Sequence, residues 1–424
     1  MAISDDVLVI GGGLAGMTAA SAAARGGARV RLLSHKASTL RNASGLIDVL
    51  GTDPGGHGPL ADPFDGLDAL PQEHPYSVLG EQAIREGLAL FDDLLGDRYL
   101  GAHTDRNALV PTHGGTVKPT ARYPAATAPG LASFGTETLL VGFESVTDFD
   151  APLAAAHLEA AGVPFEVRGV TLPFPGEFRA DARVTRMAHA LDEDREVRAD
   201  GRATGTRATL ADRVADHLDG AERVGFPALL GDEHGEEVRE ELADRLGAEV
   251  FEVPMGPPSL PGLRLEDALE AALHDEGVRV ESGNPVVGYE GDDRVETVTV
   301  ERVHREVPYG AEQVILATGG LVGKGIRSSR SGVREPIFGC HVPQPEDRYD
   351  WFSDGVFDDQ PYARFGLRID EGCRPLDDRE GVEFENLRAV GAVCGGYDSA
   401  REKSASGVSL ATATVAGRRA AECL

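Results

Sequence analysis

An α/β nucleotide-binding fold of the Rossmann type follows from three stretches of this chain. Val7, Leu8, Val9 and Ile10 form a short apolar run that breaks at Gly11-x-Gly13-x-x-Gly16, and an alanine-rich helical stretch follows directly. In such a strand–turn–helix the first glycine permits the tight turn, the second lets backbone approach a pyrophosphate, and the third brings helix and strand together. The helix N-terminus, at Leu14 and Ala15, offers N–H groups and partial positive charge to that pyrophosphate. The second stretch is an apolar strand from Gln313 that ends in Ala317, Thr318, Gly319 and Gly320. The third runs from Glu385 through a strand to Gly391 and Ala392, and then Ser406, Gly407 and Val408 open a C-terminal helix.

Three such marks in this order are those of a flavoprotein with a discontinuous nucleotide-binding domain. The expected architecture is a Rossmann-like FAD/NAD(P)-binding fold with an inserted second α+β domain. Residues 1–75 and 264–424 would bind flavin, and residues 76–263 would form the inserted cap.

The elements follow in order. A helix is expected over 14–25 and a strand over 29–33. An acidic residue usually follows this strand and grips the adenosine ribose. Here Ser34 and His35 stand there, and serine offers a single hydrogen bond. Residues 51–75, rich in Gly, Pro and Asp, read as loop. Residues 83–95 have helical spacing, and 101–135 read as strands and loops around a site. Strands at 138–142 and 163–172 flank a helix at 151–161. Helices at 183–195 and 206–220 are joined by a polar connection, and a charged helix at 233–246 precedes a strand at 248–253. The Pro/Gly passage 254–262 leads into a helix at 264–276, and a strand and hairpin fill 278–303. Many flavoproteins carry an aspartate after the glycine equivalent to Gly391; Ala392 replaces it. The small residues at 404–409 would let the C-terminal helix approach the isoalloxazine, where its positive end stabilises charge at N1/C2=O.

With 424 residues the chain has material for about two to three domains. Its mean hydropathy of −0.20 is that of a globular chain, and no apolar run approaches a membrane span. The net charge of −29 argues against nucleic acid or an anionic lipid surface as a direct partner. Only Lys36, Lys118, Lys324 and Lys403 among the 41 basic residues are lysines, the surface expected of a cytosol rich in salt. Cys340, Cys373, Cys394 and Cys423 contain no CxxC pair, so neither an iron–sulfur cluster, nor a zinc site, nor another bound metal is expected.

Further segments carry a more specific likeness. They are Ser44 to Leu50 (Ser-Gly-Leu-Ile-Asp-Val-Leu), His74 to Gly80, Phe178-Arg179-Ala180, Pro257-Pro258-Ser259 with Gly262 to Leu265, Val333 to Gly339, and Val393 to Asp398. Over essentially its whole length the chain resembles the B subunits of the anaerobic glycerol-3-phosphate dehydrogenases. The resemblance implies a flavoprotein that works with two partners, a larger catalytic subunit (the A component) and an iron–sulfur subunit (the C component) at the membrane. Such a complex oxidises sn-glycerol 3-phosphate to dihydroxyacetone phosphate and passes electrons to quinone in glycerol catabolism. The chain would be cytoplasmic, held at the inner face of the membrane through its partners, with no span of its own. The family is described as using FMN, whereas the glycine motif favours FAD; both stay open. Ser44 and Gly45 join Gly11, Gly13, Leu14, Ala15, Gly16, Ser34, Thr318, Gly319, Gly391, Ala392, Gly407 and Val408 as cofactor-binding candidates.

Oxidising a secondary alcohol needs a hydride acceptor, a base for the hydroxyl proton and cations for the phosphate. Arg264, Arg334 and Lys118 are the candidate cations, because arginine can bind two phosphate oxygens at once. Arg264 could equally pair on its own helix, and Arg334 with Glu335. His113 and His341 are the candidate bases, since histidine titrates near neutrality. Two other functions remain open: an electron relay whose partner oxidises the substrate, and an independent flavin oxidoreductase of the fumarate-reductase-like type.

Overall fold

The computed structural model describes residues 3–178, 183–199, 202–303, 305–356 and 358–424. Of the Phe178-Arg179-Ala180 segment, Arg179 and Ala180 lie outside the described residues. The chain divides into one unit of Met1–Thr39, Asp48–Gly96 and Glu266–Leu424, and a second of Leu40–Ile47 and Asp97–Leu265.

The first unit is built on a seven-stranded sheet. Arg279–Ser282, Val30–Ser34, Ile3–Ile10 and Arg305–Leu316 lie side by side and parallel. The last half of Arg305–Leu316 pairs in parallel with Leu387–Ala389, and its first half antiparallel with Thr297–Arg302, which pairs with Val286–Glu290. Val7 to Ile10 are all buried, as a parallel strand covered on both faces requires. The first strand begins earlier than its apolar run suggests, because Asp5 and Asp6 lie within it. Asp5 is buried and bonded by Arg31 at 2.6 Å and Arg279 at 3.3 Å, while Asp6 takes Arg29 at 2.6 Å.

Helix Leu14–Arg25 crosses the sheet and packs on the C-terminal helix, Ala405–Glu422. Contact is close enough that a Cβ on Gly417 would lie 2.4 Å from the carbonyl oxygen of Ala19. Helix Glu81–Leu95 turns Ala83, Ile84, Gly87, Leu88, Phe91 and Leu95 inward at helical spacing. Gly87 faces the backbone of Leu410, where a Cβ would meet the carbonyl carbon at 2.8 Å. Residues 76–96 therefore belong with the first unit.

The second unit has its own parallel sheet, ordered Glu249–Val253, Arg223–Pro227, Thr138–Phe143, Val167–Leu172. Helices Ala151–Ala160, Val184–Asp192, Thr206–Ala215 and Gly235–Leu246 accompany it, and Phe143, Phe149, Phe226, Leu210 and Leu242 are among its fully covered core side chains. Antiparallel ribbons add to it: Ala108–Pro111 with Val117–Thr120, and Glu196–Ala199 with Arg202–Gly205, the latter where the sequence suggests only a polar connection. Among the described residues Arg223 is the largest fully buried side chain. Its guanidinium donates to the carbonyls of Pro129 (2.9 Å), Leu131 (3.2 Å), Phe134 (3.2 Å) and Thr136 (3.0 Å) and to Thr138 Oγ1 (2.9 Å). Burial without a contacting carboxylate lowers its pKa.

Candidate functional site

The carboxyl ends of Ile3–Ile10, Arg305–Leu316 and Leu387–Ala389 bring the three sequence marks together. Gly11 has φ +120°, and a Cβ there would stand 2.1 Å from the carbonyl oxygen of Ala317. A Cβ on Gly16 would stand 1.8 Å from the Gly11 carbonyl oxygen. Both positions therefore admit glycine alone. Gly13 differs: nothing lies within 4 Å of its Cβ direction. That opening borders the start of helix Leu14–Arg25, which has no side-chain cap and no acidic residue in its first turn. A helix N-terminus left so is a place for an anion. Gly319 has φ +82°, and beside it the hydroxyl of Thr318 is buried without a hydrogen-bond partner. Gly391 has φ +70° and leaves only 2.6 Å between its Cβ direction and Ala15 Cβ, while its N–H donates to Thr412 Oγ1 at 2.9 Å. Gly320 abuts Ala392, whose carbonyl oxygen would be 2.7 Å from a Cβ. Close-packed glycines, an open helix end and an unpartnered buried hydroxyl suit a phosphate-bearing nucleotide cofactor. Ser34 is buried beside this turn; its hydroxyl donates to the Lys36 carbonyl at 2.8 Å and can accept one bond more.

The C-terminal helix departs from expectation. The sequence leaves its N-terminus free for the isoalloxazine, but Asp48 occupies it. The Asp48 carboxylate accepts the N–H of Ser406 at 2.9 Å, and the Asp48 carbonyl accepts that of Gly407 at 2.7 Å. The Val408 N–H goes to the Ser404 carbonyl at 3.0 Å. The positive end of the helix is thus already matched by a carboxylate. Gly407 serves packing: a Cβ would fall 2.1 Å from Tyr76 Oη, which donates to the Val49 carbonyl at 2.9 Å. Burial, with Asp48 nearby, pushes the Tyr76 phenol well above its ordinary pKa, so it remains a donor. Below lies a buried polar cluster that sequence reasoning missed. His74 Nδ1 accepts the Tyr76 N–H at 2.9 Å, so the neutral ring carries its proton on Nε2 and donates to Glu402 at 3.2 Å. Ser404 and the Asp398 N–H complete the Glu402 carboxylate at 3.0 and 3.1 Å.

The remaining candidates are divided between the units. Arg264, in helix Leu260–Asp275 at the border of the second unit, is held by Glu252 at 2.6 and 3.1 Å and by the Gly231 carbonyl. Burial works against its charge, and Glu252 more than offsets this, so its pKa rises. A paired arginine, not an open cation, is what the structure shows. Arg334 is exposed on the short strand Gly332–Arg334. The anticipated pair with Glu335 does not form. Glu335 is fully buried and accepts the N–H groups of Ile337 (2.8 Å), Phe338 (2.6 Å) and Gly339 (3.0 Å).

His113 sits in the turn between Ala108–Pro111 and Val117–Thr120, the strand that carries Lys118. Its Nδ1 lies 3.3 Å from the Pro254 carbonyl, an acceptor, so Nδ1 carries the proton and Nε2 holds a lone pair in the neutral ring. Nε2 faces Gly256, where a Cβ would be 3.2 Å away. His341 is half-buried in the first unit, with its backbone N–H on Glu383 at 2.8 Å. Ser44 and Gly45 belong to the second unit. Gly45, at φ +78°, leaves 2.8 Å to Pro261 Cβ, and its carbonyl accepts Tyr99 Oη at 2.8 Å. Among the described residues no helix is long and apolar enough to cross a membrane, and no group of three His, Cys, Asp or Glu is placed to hold a metal ion.

A family model described as an FAD binding domain matches residues 6–408. The chain is 59% identical over 425 residues to the probable B subunit of the anaerobic glycerol-3-phosphate dehydrogenase of Halobacterium salinarum, covering 100% of this chain and 99% of that one. It is 33% identical to the B subunit of the anaerobic glycerol-3-phosphate dehydrogenase of Pectobacterium atrosepticum, covering 96% of each. The open conformation of a flavocytochrome c3 fumarate reductase aligns with 99% of this chain and 78% of its own at 13% identity and a TM-score of 0.47. The chain belongs to the FAD binding domain family and, within it, to the B subunits of the anaerobic glycerol-3-phosphate dehydrogenases, and its cofactor is a flavin.

Proposed function

We propose that this chain is the flavin-bearing member of a complex that oxidises sn-glycerol 3-phosphate to dihydroxyacetone phosphate and passes the electrons to quinone through an iron–sulfur partner. The full-length 59% identity to a probable B subunit of such a dehydrogenase carries this reading. A flavin, when bound, accepts the two electrons of an alcohol oxidation. The residues that would hold it are Gly11, Gly13, Leu14, Ala15 and Gly16 around the phosphates, Ser34 towards the ribose, and Thr318, Gly319, Gly391 and Ala392 along the sheet ends. The opening at Gly13 against a helix N-terminus suits a pyrophosphate, which FAD has and FMN lacks. His113 Nε2 takes the hydroxyl proton, and Lys118 on the same hairpin meets the phosphate. His113 is preferred to His341 because the Pro254 carbonyl fixes its tautomer with Nε2 unprotonated.

A relay role is the second reading. It is favoured by the commitment of Arg264 to Glu252, which removes one phosphate-binding cation from the set. Anaerobic addition of glycerol 3-phosphate to the isolated flavin-loaded chain separates the two. Bleaching of the flavin supports direct oxidation; bleaching only after the partner subunits are added supports the relay. No bleaching in either case overturns the proposed substrate. The mass of the cofactor released on denaturation decides between FAD and FMN.

A further inference from the structure

The excursion between strands Arg305–Leu316 and Leu387–Ala389 carries a basic element on an acidic chain. Lys324, Arg327, Arg330 and Arg334 are all exposed, and no acidic residue interrupts residues 324–334. The whole chain has 41 Lys and Arg against 70 Asp and Glu. Arg327–Ser329 and Gly332–Arg334 form an antiparallel ribbon in which Arg327 lies directly opposite Arg334. Opposed residues share a face, and like charges there repel. None of the four cations makes an ion pair with a described residue, and the next acid, Glu335, is turned inward onto backbone N–H groups. Elsewhere arginines such as Arg29, Arg31 and Arg207 sit on carboxylates.

The ribbon is anchored. Gln344 accepts the Val333 N–H at 2.6 Å and donates to the Val333 carbonyl at 2.8 Å. The chain beyond it exposes Tyr349 (72%) and Phe352 (49%), while Trp351 is fixed by a bond from its indole N–H to the Pro345 carbonyl at 2.9 Å. Exposed arginine without an ion-pair partner is a residue type enriched at protein interfaces.

We propose that this ribbon is the docking face for a different protein chain that presents carboxylates. The proposal rests on the reading of this chain as one member of a complex. Charge complementarity selects the occupant. A membrane of anionic lipid meets a chain of net charge −29, and at the high salt expected from so acidic a surface, attraction is screened within a few ångströms, about 3 Å at 1 M. What survives such screening is direct guanidinium–carboxylate contact, which the two-pronged guanidinium makes well.

The test uses the complex purified from its host. A water-soluble carbodiimide joins a lysine amine to a carboxylate in contact with it, and the chain has four lysines, so a Lys324 product is unambiguous. The expected product links Lys324 to an Asp or Glu of another kind of chain. The variant R327E/R330E/R334E is expected to bind the remaining subunits at least tenfold more weakly while keeping its flavin and thermal midpoint. The neutral variant R327Q/R330Q/R334Q, which avoids new repulsion within the fold, should show a smaller loss in the same direction. Lys324 linked only to its own chain or to a second copy overturns the proposal, as does unchanged affinity of both variants. Arginine-dependent sedimentation with phosphatidylglycerol vesicles, with affinity for the other subunits unaltered, overturns it in favour of a lipid face. A chain that purifies from its host without any other subunit overturns the reading as a member of a complex, and the proposal with it.

Discussion

Asp48 caps a helix that begins 357 residues later in the chain, accepting the Ser406 N–H at 2.9 Å with its carboxylate and the Gly407 N–H at 2.7 Å with its carbonyl. One residue thereby closes the C-terminal helix onto the loop after Ile47. Replacing Asp48 by Ala removes the carboxylate acceptor of the half-buried Ser406 N–H at the start of the helix, at a cost of about 1–2 kcal/mol. Asn, which keeps an acceptor oxygen but not the charge, should lose less. Denaturant unfolding of the two variants beside the wild type is the measurement, and an Ala variant as stable as the wild type refutes the capping role.

Gly13 and Gly16 look equivalent in the sequence and are not equivalent in the fold. Gly16→Ala places a Cβ 1.8 Å from the Gly11 carbonyl oxygen, so it should lower the thermal midpoint and empty the flavin site together. Gly13→Ala meets nothing within 4 Å in the protein, so the chain should fold normally and lose flavin. Flavin content and thermal midpoint, measured on both variants, check this. Full flavin in Gly13→Ala means that no phosphate group lies against Gly13.

These glycines were legible because their constraint is local: a strand, a turn and a helix within fourteen residues require them. Thr318, Gly319 and Gly391 were legible for the same reason. Arg223–Pro227 was not, because it opens with an arginine and closes with a proline, and no apolar run marks it. The polar partnerships of Asp48, His74–Glu402 and Arg264–Glu252 depend on which residues folding brings together across the chain, and no spacing within a segment records that. Arg264 also shows how residue type misleads: a guanidinium can bind two phosphate oxygens at once, and here a buried carboxylate holds it.

Arg223 should tolerate no replacement. Arg223→Met takes a donor from four carbonyls and the Thr138 hydroxyl inside the second unit, although the Leu131 carbonyl keeps the Phe134 N–H at 3.2 Å and the Thr136 carbonyl keeps the Thr138 hydroxyl at 3.0 Å. Each buried unsatisfied group costs about 1–3 kcal/mol, partly relieved by relaxation, so a loss of about 3–5 kcal/mol is expected. Lysine has three donors on one atom and cannot span five acceptors, so Arg223→Lys should recover a minor part. Hydrogen exchange of the strands Thr138–Phe143 and Arg223–Pro227 reports the loss where it occurs; unchanged protection in Arg223→Met contradicts it.

Acid should weaken the first unit through Glu281. Burial raises its pKa, but bonds from Tyr309 at 2.9 Å, Arg302 at 2.6 Å and Arg31 outweigh this and hold the carboxyl below the ordinary value of 4.5. A carboxyl depressed in the folded state contributes stability that is present above its unfolded pKa and lost as pH falls through the folded one. The wild type should therefore lose its advantage over Glu281→Gln as pH drops below about 4.5. Equal pH dependence of the two unfolding curves contradicts this.

His113 carries the proton-transfer part of the proposed reaction. Its Nδ1–H on the Pro254 carbonyl leaves Nε2 as the nitrogen with the lone pair in the neutral ring. If Nε2 takes the hydroxyl proton, His113→Gln should slow flavin reduction by about 10²–10⁴-fold in the assembled complex, the range for loss of a general base. Flavin content should not change, and KM should move little, because the residue acts on the reacting proton rather than on the phosphate. Lys118→Gln should do the opposite, raising KM with a smaller effect on the rate. The pH profile separates a base from a structural histidine. The acidic limb of the wild-type pH–rate profile should vanish in His113→Gln, and a limb that persists in the variant assigns the proton to another group.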